Sequence, residues 1–309
     1  MTRLTILVLS AVLCGTGQQP VFRTRTDLVR IDALVERDGK PVGGLTGDDF
    51  AVFDNGVRQR VVSVRQNDTV SLAIALDSSG SMRGPRMAKV KDATLALLGQ
   101  LHDGEPLIVV GFSEQVGRLV ATKTTPAEAR AMLDEIDPRG STALFDGAYA
   151  AVLAGDTGTG SKLLVLLSDG RNNSSWLSAR AVIDAARRHE VVIYPVGVGL
   201  DDRDAAKRAL ASASARYGGG WIDYARLTHD AAKLLHLVAE RTGGRLIEAD
   251  WTDQLDVVFR AILEEFRQRY LIGFTPEGVA KGDGWHTLEV KLVRGKRGDA
   301  HARAGYWSK

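Results

Sequence analysis

Five oxygen-bearing side chains stand where apolar segments end or helices begin. They are Asp77, Ser79 and Ser81 in "DSSGS", Thr142 in "GST" and Asp169 in "SDG". Two carboxylates and three hydroxyls suit a hard cation such as Mg²⁺, or Ca²⁺ or Mn²⁺, whereas Zn²⁺ would prefer His or Cys. In Asp-x-Ser-x-Ser, three side chains turn inward from one loop, and Gly80 permits the bend. Since two carboxylates and three hydroxyls leave the ion partly hydrated, an acidic group from outside can complete its coordination geometry.

The elements around these residues follow an alternating pattern from Ser71 onward. "SLAIALD", "EPLIVVGFS", "SKLLVLLSDG" and "EVVIYPVGVG" predict buried strands with helical periods between them, and "GRLVATKT" predicts an antiparallel edge strand. Such alternation predicts an α/β fold with a Rossmann-like, doubly wound, mostly parallel sheet. The turns that carry the five oxygens then meet at the carboxyl edge of the sheet. They lie around the first strand, "SLAIALD", and the fourth, "SKLLVLLSDG", where strand order reverses.

Helix boundaries follow from capping and breaking residues. Thr125 followed by Pro126 predicts a helix start, and Thr142 is itself a candidate cap for the helix after Ser141. Further along, the sequence predicts a helix near residues 204–215, an irregular insertion over 218–230, and helices over 231–242 and 252–267.

The chain reads as β on both sides of the α/β region (71–267). Residues 21–70 alternate apolar and polar positions around Asn55-Gly56, a strong hairpin signal, and residues 268–309 are strand-like with glycine-rich breaks. Neither flank is long enough to make a core alone, so we expect them to form one β-sandwich-like domain with the α/β domain inserted. The alternative is two independent β extensions of the α/β sheet.

Residues 1–17 have the order of a signal peptide: a basic start at Arg3, an apolar run over 4–14 too short to span a bilayer, and small residues. This predicts an exported protein, extracellular, periplasmic or at the cell surface. Cys14 is the single cysteine, so no intrachain disulfide is possible; its lipidation is an alternative that the large Leu13 disfavours. A net charge of +2 gives no footprint for nucleic acid or anionic lipid.

The five oxygen residues, in this order and on these elements, resemble the metal-ion-dependent adhesion site of von Willebrand factor type A domains. The resemblance covers roughly residues 71–267. It implies a Rossmann-like fold and metal-dependent binding of a protein ligand, without catalysis. In that family the serines and the threonine contact the metal directly or through water, and the aspartates hold its coordination shell in place. The flanks "GGLTGDDFAVFDNGVRQRVVSV" and "YLIGFTPE…AGYW" look like those of bacterial secreted proteins related to this family, notably in acidobacteria.

Other interpretations stay open. Singly, each of the five residues is an ordinary cap or turn residue. A strand that ends on Asp77 also resembles aspartyl phosphotransferases of the haloacid dehalogenase type, but those need Asp-x-Asp, and Ser79 occupies the second position. A structural, envelope-anchoring role is a third possibility. The histidines form no zinc pattern, and Trp176 either rims a binding surface or lies under its loop.

Overall fold

A computed structural model describes residues 28–120, 125–157, 160–200, 222–251, 254–279, 284–293 and 297–308. The signal peptide prediction, Cys14 and the helix predicted near residues 204–215 lie outside the described residues. The strands are β1 (Val29–Arg37), β2 (Lys40–Pro41), β3 (Phe50–Asp54), β4 (Val57–Gln59), β5 (Val61–Gln66), β6 (Val70–Asp77), β7 (Leu107–Phe112), β8 (Val116–Val120), β9 (Ser161–Ser168), β10 (Val191–Val198), β11 (Ile247–Ala249), β12 (Tyr270–Phe274), β13 (Trp285–Leu292), β14 (Asp299–Ala302) and β15 (Gly305–Trp307). The helices are α1 (Pro85–Leu98), α2 (Pro126–Asp134), α3 (Leu144–Ala154), α4 (Ala179–His189), α5 (Ile222–Thr242) and α6 (Leu255–Arg267).

The α/β sheet has the order β11-β10-β9-β6-β7-β8, with β8 antiparallel to β7 and the other pairs parallel. Both faces are covered, by α1, α2 and α6 on one side and by α3, α4 and α5 on the other. Every residue of β6 is buried, which explains its near-continuous apolar run. Because β6 and β9 are neighbours whose connections leave in opposite directions, strand order reverses between them. The predicted doubly wound fold is confirmed.

Strands from both ends of the chain pair with one another in two antiparallel sheets. One contains β14-β1-β12-β5, with β2 on β1, and the other has the order β15-β13-β3-β4. Their inner faces share one core, to which Ile31, Val52, Ile272 and Val290 contribute. The Asn55-Gly56 turn joins β3 to β4 with φ of 48° and 79°, as a two-residue hairpin turn requires.

Two local predictions have clear outcomes. Thr125 caps α2 through a reciprocal pair of hydrogen bonds with Glu128, as the sequence indicates. The irregular insertion predicted over residues 218–230 is wrong from Ile222 onward, because α5 begins there rather than at residue 231. The cluster Gly218 to Gly220 suggested a long loop, but no Gly or Pro follows it before Gly243, so nothing interrupts the helix.

Candidate metal site

Asp77 is the last residue of β6 and is fully buried. Its Oδ1 accepts a hydrogen bond from the Ser79 amide at 2.9 Å, and its Oδ2 accepts one from the Ser168 hydroxyl at 2.8 Å. The Ser79 and Ser81 hydroxyls are 3.1 Å apart. Three of the predicted oxygen residues therefore form one cluster after β6, and Ser168 connects this cluster to the end of β9.

The loop that carries Thr142 lies against the loop after β6. The Gly80 amide donates to the Gly140 carbonyl at 3.1 Å, and the Arg139 amide donates to the Ser78 carbonyl at 3.0 Å. Gly140 has φ of 72°, and a Cβ there would come within 2.9 Å of the Glu114 carboxyl group. A side chain at position 140 would therefore be strained by its backbone, and the exposed Glu114 side chain would have to move away.

Asp169 follows β9 and has a side chain only 7% exposed. Its Oδ1 accepts a hydrogen bond from the Arg171 amide at 3.2 Å. Its Oδ2 is buried and accepts no hydrogen bond, although the Arg171 Nε lies 3.5 Å away. Buried carboxylate oxygens ordinarily accept a hydrogen bond, so one that accepts none, near the second carboxylate of Asp77, fits the donor set of a hard cation.

The two carboxylates act on each other. Burial, followed by the negative charge of Asp169, raises the pKa of Asp77 from 3.8 to about 7, although hydrogen bonds from Ser79 and Ser168 oppose the rise. Two buried carboxylates that repel each other form an unfavourable arrangement unless a cation lies near both. Hence the charges at this edge of the sheet, like the orphaned oxygen, suit a divalent ion.

Thr142 is 2% exposed and is held in place by Asn173 and Ser174, two residues of the loop after β9 that the sequence analysis did not name. Its amide donates to Asn173 Oδ1 at 2.7 Å, and its carbonyl accepts from the amides of Asn173 and Ser174. The same loop serves the start of α3, since Asn172 Oδ1 accepts from Leu144 N and Ser175 Oγ accepts from Phe145 N.

The idea that Thr142 caps α3 is wrong, because Ala143 is the N-cap residue and the amides of Leu144 and Phe145 are served from the loop. The available signal was the run "RNNSS" directly after "SDG", since Asn and Ser are the residues that accept hydrogen bonds from exposed helix starts.

Trp176 belongs to the same loop and is 96% exposed, so the interpretation that it lies under its loop is wrong. Its amide and that of Leu177 donate to the two carboxylate oxygens of Asp146, at 3.0 and 2.8 Å. The backbone beneath this indole is therefore fixed to α3, while the ring itself lies in solvent. Asp137, which precedes the loop that carries Thr142, is exposed.

The described residues contain no cluster of three or more His, Cys, Asp or Glu side chains suited to a metal. The candidate site has only two carboxylates, so metal binding there would also need hydroxyl oxygens. Within the same residues, no helix has the length and apolar character needed to cross a membrane.

A family model for the von Willebrand factor type A domain matches residues 71–218. The chain contains a von Willebrand factor type A domain. This family takes part in metal-dependent protein–protein interaction and adhesion, its adhesion site binds divalent metals, and its members are typically not enzymes.

The curated relatives match less than half of this chain and a small part of their own length. Inter-alpha-trypsin inhibitor heavy chain H2 of Mus musculus is 26% identical over 155 residues, and that of Homo sapiens 24% over 155 residues. Each match covers 45% of this chain and 16% of the relative, so the chain spans about a sixth of the length of these proteins.

Solved structures with the same domain include von Willebrand factor type A from Catenulispora acidiphila. It is 16% identical, with a TM-score of 0.48 over 89% of this chain and 76% of that one. The vWF domain of the type V pili tip protein Mfa5 from Porphyromonas gingivalis is 14% identical, with a TM-score of 0.47 over 70% and 99%. Proximal thread matrix protein 1 from the mussel byssus, with zinc in its adhesion motif, is 18% identical, with a TM-score of 0.47 over 68% and 48%.

Proposed function

We propose that this protein is an exported binding module that captures an acidic group of another protein through a divalent cation, Mg²⁺ before Ca²⁺ or Mn²⁺. The cation is held by the five oxygen residues Asp77, Ser79, Ser81, Thr142 and Asp169. The observation that carries the proposal is the orphaned, buried Oδ2 of Asp169, which lies beside a second buried carboxylate. A cation between the two would satisfy that oxygen and remove their repulsion.

The chemistry of the five residues indicates how a ligand would bind. Their two negative charges balance a divalent cation, but five side chains fill at most five of the six positions around Mg²⁺, so one position is open to a further carboxylate. Ser79 and Thr142 are almost completely buried, whereas Ser81 is only partly buried and lies nearer the solvent. An Asp or Glu side chain from a partner would complete the coordination from the solvent side.

Trp176 supports a protein as the partner. A tryptophan that is 96% exposed on a loop with a fixed backbone offers a large apolar contact at little entropic cost. The expected partner surface therefore combines an acidic residue with an apolar neighbour.

A pull-down from envelope and culture fractions tests this function. The wild-type protein is expected to capture a partner in Mg²⁺ and to release it in EDTA, and Asp77→Ala is expected to capture none in either. Asp137→Asn removes an exposed aspartate near the same edge and should behave as wild type, which makes it the matched control. Equal capture by wild type and Asp77→Ala would overturn the proposal.

Two further measurements separate the remaining functions. Hydrolysis of a phosphate monoester that requires Mg²⁺ and Asp77 would favour the phosphotransferase instead. Cell fractionation of wild type and Cys14→Ser tests export: we expect both in the exported fractions, and envelope attachment that is lost in Cys14→Ser would indicate a lipid anchor.

A further inference from the structure

A cleft opens between the sandwich and the α/β domain, at the opposite end of β9 from Asp169. We call it the junction cleft. Arg30 on β1, Arg65 on β5 and Arg303 after β14 line it from the sandwich, and Lys162 on β9 and Arg187 on α4 line it from the α/β domain. Since β9 rises ~3.3 Å per residue, the eight residues of this strand separate the cleft from the candidate metal site.

The lining of the junction cleft is strongly basic. Five cationic side chains face two carboxylates, those of Asp32 and Glu190. Asp32 accepts a hydrogen bond from Asn67 Nδ2 at 2.7 Å, and burial raises its pKa although Arg269 opposes the rise. Cations therefore outnumber carboxylates here, in a protein whose overall charge is nearly balanced.

The cationic side chains on the sandwich side of the cleft are only partly neutralised by ion pairs. Arg30 and Arg65 are exposed, and neither makes an ion pair within the described part of the chain. Lys162, by contrast, pairs with Asp156, and Arg187 stacks on the Trp285 ring at 4.3 Å.

Arg303 gives the second, independent observation. Its side chain is 7% exposed, and its Nη2 donates to the Arg30 carbonyl at 2.6 Å and to Glu190 Oε1 at 3.0 Å. Its Nε is buried and has no hydrogen-bond partner. Leaving a buried, charged N–H without an acceptor is unfavourable, so this guanidinium lacks one oxygen.

We propose that the junction cleft binds a doubly charged tetrahedral oxyanion, phosphate or sulfate, between Arg30, Arg65 and Arg303. Guanidinium groups present planar forks of N–H donors that match the oxygens of such anions. The anion would supply the acceptor that Arg303 Nε lacks and would neutralise the two unpaired arginines. Because its ligands come from β1, β5 and the residue after β14, and Arg303 also holds Glu190, bound anion would fasten the sandwich to the α/β domain.

The test is a titration of the full chain with inorganic phosphate and with sulfate, in the presence of EDTA and at constant ionic strength. Calorimetry and thermal unfolding measure the binding. Arg30→Gln and Arg65→Gln remove exposed charges, so neither threatens the fold. Each is expected to raise the dissociation constant at least tenfold. Arg58→Gln, which removes an exposed arginine on β4 of the other sheet, should bind as wild type. Asp77→Asn should also bind as wild type, since this site is independent of the metal.

Methyl phosphate identifies the source of the anion. Binding as tight as that of phosphate, or tighter, assigns a phosphate group carried by a larger molecule, and weaker binding assigns the free ion. The proposal fails if phosphate and sulfate stabilise the protein no more than chloride does at equal ionic strength. It also fails if Arg30→Gln and Arg65→Gln bind both anions as the wild type does.

Discussion

Asp77 Oδ2 accepts a hydrogen bond of 2.8 Å from the hydroxyl of Ser168, which joins the ends of two neighbouring parallel strands. Ser168 Oγ in turn accepts from the Gly170 amide at 3.1 Å, so the turn that carries Asp169 is held against the one that carries Asp77. Hydrogen bonds within the protein therefore hold both carboxylates in place.

This rigidity predicts opposite effects of Asp77→Asn on the apo and metal-loaded protein. The amide removes a buried charge that Asp169 repels, so without metal the variant should unfold at the same temperature as wild type or higher. Mg²⁺ at about 100 times its dissociation constant should stabilise the wild type by about 2.7 kcal/mol and the variant by nothing. Thermal unfolding with and without Mg²⁺ measures both, and Asp137→Asn should follow the wild type. Equal Mg²⁺ stabilisation of Asp77→Asn and wild type would remove Asp77 from the site.

Asn173→Ala should weaken metal binding without removing a ligand. Asn173 Oδ1 accepts from the Thr142 amide at 2.7 Å, and leaving that amide without its acceptor should lower the free energy of unfolding by about 1–3 kcal/mol. We expect a lower Mg²⁺ affinity by calorimetry, because Thr142 loses its positioning. Asn173→Asp keeps an acceptor oxygen and should restore the unfolding free energy. An unchanged Mg²⁺ affinity in Asn173→Ala would show that Thr142 needs no such support.

Trp176→Ala should separate partner binding from metal binding. The indole is exposed and makes no contribution to the core, so stability and Mg²⁺ affinity should stay as in wild type. Loss of an interfacial tryptophan commonly removes about 2 kcal/mol or more of binding free energy, so partner affinity should fall at least tenfold. Surface plasmon resonance with the captured partner measures it. Val62→Ala, which trims an exposed side chain of β5, is the control; a similar loss in both variants would contradict a specific role for Trp176.

Gly147→Ala tests how closely α3 lies on the sheet. A Cβ at Gly147 would collide with the Phe112 ring, and both residues are buried. Overfilling such a contact should lower the free energy of unfolding by about 1–3 kcal/mol, measured by denaturant titration. Gly117→Ala, on the edge strand β8, adds its methyl group to open space and should change little. Equal stability of the two variants would mean that α3 shifts freely.

Tyr306 predicts a loss of stability at alkaline pH. Burial, the hydrogen bond to Asp54 Oδ2 at 2.7 Å and the charge of Asp54 raise the pKa of Tyr306 above its ordinary 10.0. Above about pH 10 the unfolded chain releases this proton while the folded protein keeps it, so the free energy of unfolding falls as pH rises; below pH 10 the contribution is fully present. Tyr306→Phe should be less stable at neutral pH by about 1.5–3 kcal/mol, because the buried carboxylate of Asp54 loses a hydrogen-bond donor.

Tyr306→Phe should also show a shallower decline of stability above about pH 10 in denaturant titrations. Tyr194, whose pKa is raised as well, is present in both proteins, so the difference between their slopes belongs to Tyr306. Parallel slopes would contradict the prediction.

Periodicity and turn chemistry predicted most of the fold. The sequence predicted both the strand that ends at Asp77 and the Asn55-Gly56 turn, because the residue types within each segment determine its structure. The start of α5 was missed because the glycines before Ile222 resemble a loop, and only the missing breaker within the helix argues otherwise. Fold prediction therefore failed where two local signals disagreed.

The sequence named the oxygen-bearing residues of the candidate site but not the residues that support them. Asp77, Ser79 and Ser81 stand in one short motif, whereas Asn173 reaches Thr142 only once β9 and α3 lie together. The sequence did not predict the junction cleft, because Arg30, Arg65 and Arg303 come from three distant segments that only the sandwich brings together. The residues that flank these arginines in the sequence form no motif that predicts a common anion site.

The pairing of β1 with β12, in which Val29 lies opposite Phe274, sets the order of events during synthesis. The first strand must wait for a partner that leaves the ribosome only after the whole α/β domain has been made. Contacts so distant along the chain slow folding and leave strand edges open to wrong pairing in the meantime. A nascent chain halted before residue 270 should therefore carry an assembled α/β domain and an amino-terminal segment that remains sensitive to protease.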